Sequence, residues 1–246
     1  MIVVDCPWEL ENIGKRTVEI MIEATDTYES ESIESALVGY EYAVVKVPMN
    51  MIDFNIGLSC IDFICVETQM NIGISMQDFD LTKVDNLRKN TRFEIINNDK
   101  DFDTVISMIS TGMFSTDRIS LDPEFGLKTG CLRYVNWVTS EYRRGNSSLI
   151  SMIYKGEHIG FMLVKIKDGV IYLLLNGLYK PFQGKGLGLL TPASPFLYVT
   201  QEKLDVLSEY TSISSNNIPV VKLYNKLNFH IINQSYVFIK HVLSEK

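Results

Sequence analysis

Lys180-Pro-Phe-Gln-Gly-Lys-Gly-Leu-Gly188 comes directly off the apolar run Tyr172-Leu-Leu-Leu-Asn-Gly-Leu178. Glycines at 184, 186 and 188 let successive backbone N–H groups turn toward one point without side-chain obstruction, and a helix starting behind them adds the positive end of its dipole. That combination is an anion cradle. Its spacing, GxGxG, is neither the GxGxxG dinucleotide fingerprint nor a Walker A loop, which requires GK[ST]. The plain alternative is a tight strand-to-helix connection with no ligand.

Downstream lies Asn217-Ile-Pro-Val-Val-Lys-Leu-Tyr-Asn-Lys-Leu-Asn-Phe229, after a strand from Val206 to Ser212. Asn217 and Tyr224 stand two helical turns apart and share a face, beside an apolar stripe of Val220, Leu223 and Leu227. One face packs while the other is open to a ligand.

Loop and helix together resemble the GNAT family of acetyl-CoA-dependent N-acetyltransferases. Gln183 to Gly188 is similar to its [QR]-x-x-G-x-[GA] pyrophosphate loop, and Asn217 to Phe229 to its N-x-x-[AV]-x-x-L-Y-x-K-x-G-F helix. The likeness covers about Phe93 to His241 and implies an α/β (α+β) fold, a mixed, mostly antiparallel central sheet flanked by helices. It implies acetyl-CoA as co-substrate and direct attack by a primary amine. Gln183, Gly184, Lys185, Gly186, Leu187 and Gly188 then hold the pyrophosphate, with Lys180 adding charge. Main-chain groups of Gly177 and Leu178 hold the pantetheine arm, Asn217 fixes one of its amides, and Tyr224 protonates the leaving thiolate. The strand before the loop carries no carboxylate, so the base is left to a water chain, Asp117, Asp122 or Glu157.

Two departures from the family pattern stand out. Asn228 replaces a glycine after the helix, and asparagine also accepts left-handed geometry. Pro192 and Pro195 fall where the helix behind the loop should run, predicting a kink or restart. A narrower likeness, in Met113-Phe-Ser-Thr-Asp-Arg-Ile-Ser-Leu-Asp-Pro123 with Arg133, Tyr134 and Trp137, is to the dTDP-fucosamine acetyltransferase group. It implies a nucleotide-linked amino sugar as acceptor, contacted by Asp117, Arg118, Arg133 and Trp137. A protein N-terminus or small amine as acceptor, or a non-catalytic acyl-CoA-binding module, are the alternatives.

The front of the chain reads as one β-α-β unit: a strand over Tyr40 to Val47, a helix over Met51 to Ile61 and a strand over Phe63 to Met70. Shifting by 166 residues lays Tyr42 to Val47 on the strand before Asn217, and Ile61, Phe63 and Val66 on Leu227, Phe229 and Ile232. The unit is thus a candidate degenerate half-copy, with chance likeness of two β-α-β units as the alternative. Leu58 stands where Tyr224 would be and no glycine loop precedes it, so this half is expected not to bind CoA. The expected domains are residues 1–75, a linker over 76–92 and the acetyltransferase domain over 93–246. Within the last, the pattern predicts a strand at Phe93 to Asn97, helices to about Met113 and over Thr129 to Arg144, and strands at Ser148 to Tyr154, His158 to Ile166 and Val170 to Leu178.

Composition sets the outer bounds. Hydrophobic residues make up 46% and charged residues 22% of 246, the balance of a packed protein. No apolar run spans a bilayer and Met1 to Trp8 does not read as a signal peptide, so a cytoplasmic protein is expected. A net charge of −7 argues against general nucleic-acid binding. Cys6, Cys60, Cys65 and Cys131 lack metal or disulfide spacing and read as reduced core thiols, and His158, His230 and His241 are scattered, so no metal site is expected. The expected partner is a small-molecule amine, with a homodimer allowed and neither nucleic acid nor membrane involved.

Overall fold

The computed structural model describes residues 1–242. Its front half contains β1 (Ile2–Asp5), α1 (Trp8–Ile13), β2 (Thr17–Met21), α2 (Ser30–Ala36), β3 (Tyr42–Pro48), α3 (Ile52–Cys60) and β4 (Ile64–Ser75). The sequence reading found only the last three of these. Residues 76–92, read as a linker, carry a 3-10 turn at Leu81–Val84 and α4 (Asp85–Arg88), with Phe79 and Val84 buried. Local charge there hides an apolar anchor.

The back half follows as β5 (Thr91–Ile95), α5 (Asp99–Ser110), α6 (Arg118–Leu121), α7 (Gly126–Arg144), β6 (Ser148–Tyr154), β7 (Glu157–Lys167), β8 (Val170–Leu178), α8 (Leu190–Glu202), β9 (Ser208–Ser214), α9 (Ile218–Lys226) and β10 (His230–His241). All the strands join one ten-stranded sheet in the order β1-β2-β3-β10-β4-β9-β8-β7-β6-β5. Only β2–β3 and β8–β9 pair parallel. Alternation along the strands sends Ile150, Met152, Met162 and Val164 to a core with α8 and α9, and Leu149, Phe161 and Leu163 to a core with α5 and α7.

Adding 166 to the bounds of β3, α3 and β4 returns the bounds of β9, α9 and β10. The correspondence extends to detail. Asp62 and Asn228, one shift apart, both hold left-handed backbone, with φ of 64° and 63°, just past their helices. Ser235 of β10 faces Pro48 of β3, as Gln69 of β4 faces Ser214 of β9. Each half therefore places its last strand beside the other half's, around an approximate two-fold axis between β4 and β10. In the front half the equivalent of the ligand-facing helix side is filled: the Tyr28 ring packs on Gly57 of α3 so closely that a Cβ there would overlap it.

α8 runs unbroken through both prolines, against the kink predicted from sequence. Pro192 lies in the first turn, where its missing N–H has no intrahelical acceptor to reach. Pro195 frees the Thr191 carbonyl, which accepts instead from Ser194 Oγ at 2.9 Å and from Asn176 Nδ2 of β8 at 2.6 Å. Side chains replace the lost backbone bond.

No disulfide forms among the described residues. Cys6 and Cys131 are buried, but Cys60 and Cys65 are exposed, correcting the reading of four core thiols; the first ends α3 and the second points outward from β4. No helix of the described residues is long and apolar enough to cross a membrane.

Candidate active site

β8 and β9 pair only from Val170 with Ser208 to Leu173 with Thr211. An extra residue at Leu174, opposite the Leu163–Val164 step of β7, bends β8 away at that point. Beyond it Leu175–Leu178 stay on β7 while Ser212–Ser214 stay on β4, and the sheet opens. A cavity of about 510 Å³ fills the gap, walled by Gly177 and Leu178 on one side, by Thr211, Asn217 and Tyr224 on the other, and by Tyr134 and Phe114 above.

The glycine loop closes one end of this cleft. Gly184 and Gly186 have φ of 73° and 80°, and nothing lies within 4 Å of where their Cβ would be. Backbone conformation, not space, demands glycine at both. Among the described residues, no amide from Gly184 through Leu189 finds an acceptor within the protein. These successive exposed donors, just ahead of the α8 N-terminus, can converge on an anion.

Other members of the predicted set have definite partners. Gln183 Nε2 donates to Leu178 O at 2.9 Å, tying the loop to the end of β8. Lys185 Nζ lies 5.5 Å over the Phe182 ring, while Lys180 Nζ donates to Thr111 O at 2.6 Å, which fixes it to the end of α5. Leu187 is buried, and Gly188 lines the cleft against Leu223. Asn217 caps α9, its Oδ1 accepting from Val220 N at 3.4 Å.

Tyr224 lines the cleft but is only 3% exposed. Burial, and then the charge of Glu209, push its phenol well above its usual value of 10, with Thr211 pulling weakly the other way. It therefore stays protonated through the neutral range. Glu209, on β9, was not singled out from the sequence. Its carboxyl is 1% exposed with neither oxygen hydrogen-bonded, and burial raises it well above the ordinary carboxylate range. A lone acid in an alternating strand carries no sequence sign of which face will be packed.

Of the residues assigned to the acceptor, Asp117 and Arg133 are engaged within the protein. Asp117 caps α6, accepting from Ile119 N, Ser120 N and Ser120 Oγ at 3.0, 3.2 and 2.6 Å. Arg133 is taken by Glu9 of α1, at 2.8 Å from both Nε and NH2. Burial alone would raise Glu9; the charge and hydrogen bonds of Arg133 outweigh it and hold the carboxyl below its ordinary value. Arg118 reaches Glu9 only at 3.9 Å and keeps a buried, unpartnered Nε. Trp137 packs 6.3 Å from the Tyr134 ring and lines neither cavity described here. Asp122 is buried on His241 Nε2 at 2.8 Å, and Glu157 is exposed at the β6–β7 turn.

Solved structures share this architecture. A GCN5-related N-acetyltransferase from Kribbella flavida aligns with a TM-score of 0.59 over 92% of this chain and 82% of its own, at 10% identity. The tandem GNAT protein from the clavulanic acid biosynthesis pathway aligns at 0.57 over 95% and 77%, with 11% identity. A GCN5-related N-acetyltransferase from Sphaerobacter thermophilus aligns at 0.56 over 83% of this chain, which spans 61% of that protein, at 11% identity. No family model and no curated protein matches the chain. The fold is that of the GNAT acetyltransferases, as the loop and helix motifs predicted.

Proposed function

We propose that this protein transfers an acetyl group from acetyl-CoA to a primary amine by direct attack. The observation that carries the reading is the row of unpaired amides from Gly184 to Leu189 at the mouth of a gap between two parallel strands. The amides suit a pyrophosphate, with Lys185 beside them. The unpaired edge of β8 at Gly177 and Leu178 suits the pantetheine arm as an added strand, with a main-chain amide for the carbonyl oxygen. Acetyl-CoA supplies the thioester carbonyl. Tyr224, kept protonated, gives its proton to the departing sulfur. Asn217, whose Oδ1 is committed to its helix, has its NH2 group for a pantetheine carbonyl.

In this reading residues 93–246 form the catalytic unit and residues 1–75 a degenerate partner. The nucleotide-linked amino sugar suggested by sequence keeps the hydroxyls Ser115 and Thr116 on the cleft wall, but Arg118 lines a separate cavity and Arg133, bound to Glu9, adds no free charge for a diphosphate.

Calorimetric titration with acetyl-CoA tests the assignment. The wild type binds, and Gly186→Asp, which places a side chain and a negative charge in the cradle, loses binding at least tenfold. Equal affinity in the two proteins, or none in the wild type, refutes it.

A further inference from the structure

The two faces of the sheet meet the cleft with different chemistry. Consecutive residues of β8 look opposite ways: Asn176 bonds Thr191 of α8, whereas a Cβ on Gly177 would meet Met113 and Phe114, which follow α5. The glycine loop runs into α8, so its amides bring acetyl-CoA to the α8 face and leave the other face to the acceptor. On β9, Ile213 packs into the core with α8 and α9, and alternation therefore turns Ser212 and Ser214 to this acceptor face.

Hydroxyls and a single charge line that side. Ser115, Thr116 and Asp117 contribute in succession, together with Ser212, Ser214 and the rings of Phe114 and Tyr134. Among the described residues, the hydroxyls of Ser115 and Thr116 bond to no protein group, and neither is a buried orphan. Ser212 Oγ accepts from Gln69 Nε2 at 2.7 Å and has its proton to give, while Ser214 gives its proton to the Glu67 carboxylate. Asp117 is the one cleft-lining side chain, among the described residues, that is charged at neutral pH. Its Oδ1 accepts from two amides of α6 but its Oδ2 only from Ser120 Oγ, which leaves room on Oδ2 for one more donor. Burial and then the Asp117 charge raise the Tyr134 phenol, against a pull from Arg133 and Arg118, so this carboxylate acts on the cleft wall.

No cationic side chain lines the cleft beside Asp117. Arg133 is bound to Glu9, and Arg118 lines a separate cavity of about 460 Å³ between α6, β4 and β10, whose two carboxylates, Asp122 and Glu124, both lie on His241. A phosphate on the acceptor would meet a carboxylate with no free cation, whereas an ammonium meets its complement.

We propose that the acceptor is a primary amine on a compact, hydroxylated body without phosphate, such as a free amino sugar, with its ammonium on Asp117 Oδ2 and its hydroxyls on Ser115, Thr116 and Ser212. The apolar face of a sugar ring suits Phe114 and Tyr134. The body is compact because the cleft, about 510 Å³, also admits the pantetheine arm. The proposal rests on the acetyl-transfer reading of the cleft and names the substrate class of that same site.

The test follows thiol release from acetyl-CoA by the full chain at mildly acidic pH, where every amine used is an ammonium ion. D-glucosamine is the probe and cyclohexylamine its analogue without hydroxyls. The phosphate monoester of D-glucosamine and a dTDP-linked amino sugar are the anionic acceptors. D-glucosamine has a KM about tenfold or more below each of the others. Asp117→Asn keeps a side-chain cap for α6, so melting temperature and acetyl-CoA affinity hold. In that variant the KM for D-glucosamine rises about tenfold or more and its lead over the phosphate monoester narrows. Thr116→Val raises the KM for D-glucosamine about two- to tenfold, the loss of one hydrogen bond, and leaves cyclohexylamine unchanged. Preference for an anionic acceptor or for cyclohexylamine, acetyl-CoA binding without turnover of D-glucosamine, or a KM for D-glucosamine unmoved in either variant each overturns the inference. Absence of acetyl-CoA binding instead removes the reading beneath it.

Discussion

Glu209 of β9, unpartnered at both oxygens, and Tyr224 of α9 lie close together in the interior, and burial is the first cause that raises each of them above its ordinary value. Two protons are thereby retained next to the cleft, one on a carboxyl and one on a phenol.

The raised carboxyl has a definite sign in stability. Folded Glu209 keeps a proton that the unfolded chain releases above its ordinary value of 4.5. The folded state binds more protons there, so this group lowers stability by up to about 1.4 kcal/mol per pH unit as pH rises from that value toward the folded one. Melting temperature should fall as pH rises above about 4.5, where the unfolded chain releases the proton, and Glu209→Gln should flatten that fall. An unchanged slope in the variant would place the titration elsewhere.

Glu9 acts in the opposite sense and a different range. Its depressed carboxyl contributes stability that is present above the ordinary 4.5 and is lost as pH falls through the lower folded value. Glu9→Ala leaves Arg133 buried without its partner and should cost about 3 kcal/mol by urea denaturation at pH 7. A loss under about 0.5 kcal/mol, the range of exposed surface substitutions, would mean that the pair does not fasten α1 to α7.

Tyr224→Phe removes only the hydroxyl. Acetyl-CoA affinity should survive while turnover drops roughly ten- to a few-hundred-fold, the order for loss of a general acid. Full turnover in the variant would assign the thiolate's proton to water and leave Tyr224 as packing.

Where a pattern was strong and local, the sequence was nearly sufficient. The strands at 148–154 and 170–178 were legible to the residue, because alternation is bounded by the turns at Gly156 and Gly169, both with positive φ. The glycine loop was legible for a similar reason, since left-handed backbone at 184 and 186 leaves its mark as glycine. α1 was not, because its buried residues include Glu9 and Asn12, which face Arg133 and Asn136 in place of an apolar stripe. The same pairing explains why Arg133 looked available: its partner lies 124 positions upstream, beyond any local pattern. The continuity of α8 depends on Asn176 reaching across from β8, which is likewise a tertiary fact.

The strand order β3-β10-β4-β9 also constrains assembly in time. β3 and β4 are synthesised early, yet β10, the strand that fills the space between them, is drawn from residues 230–241. While translation proceeds, the nascent front half carries two unpaired edges and an incomplete apolar face that includes Val45 and Phe63, which Phe238 later covers. The decisive closure joins contacts of large sequence separation, the kind that forms slowly. Arrival of the last strand completes both halves in a single event, and neither reaches its final hydrogen-bonding pattern on the ribosome before the other.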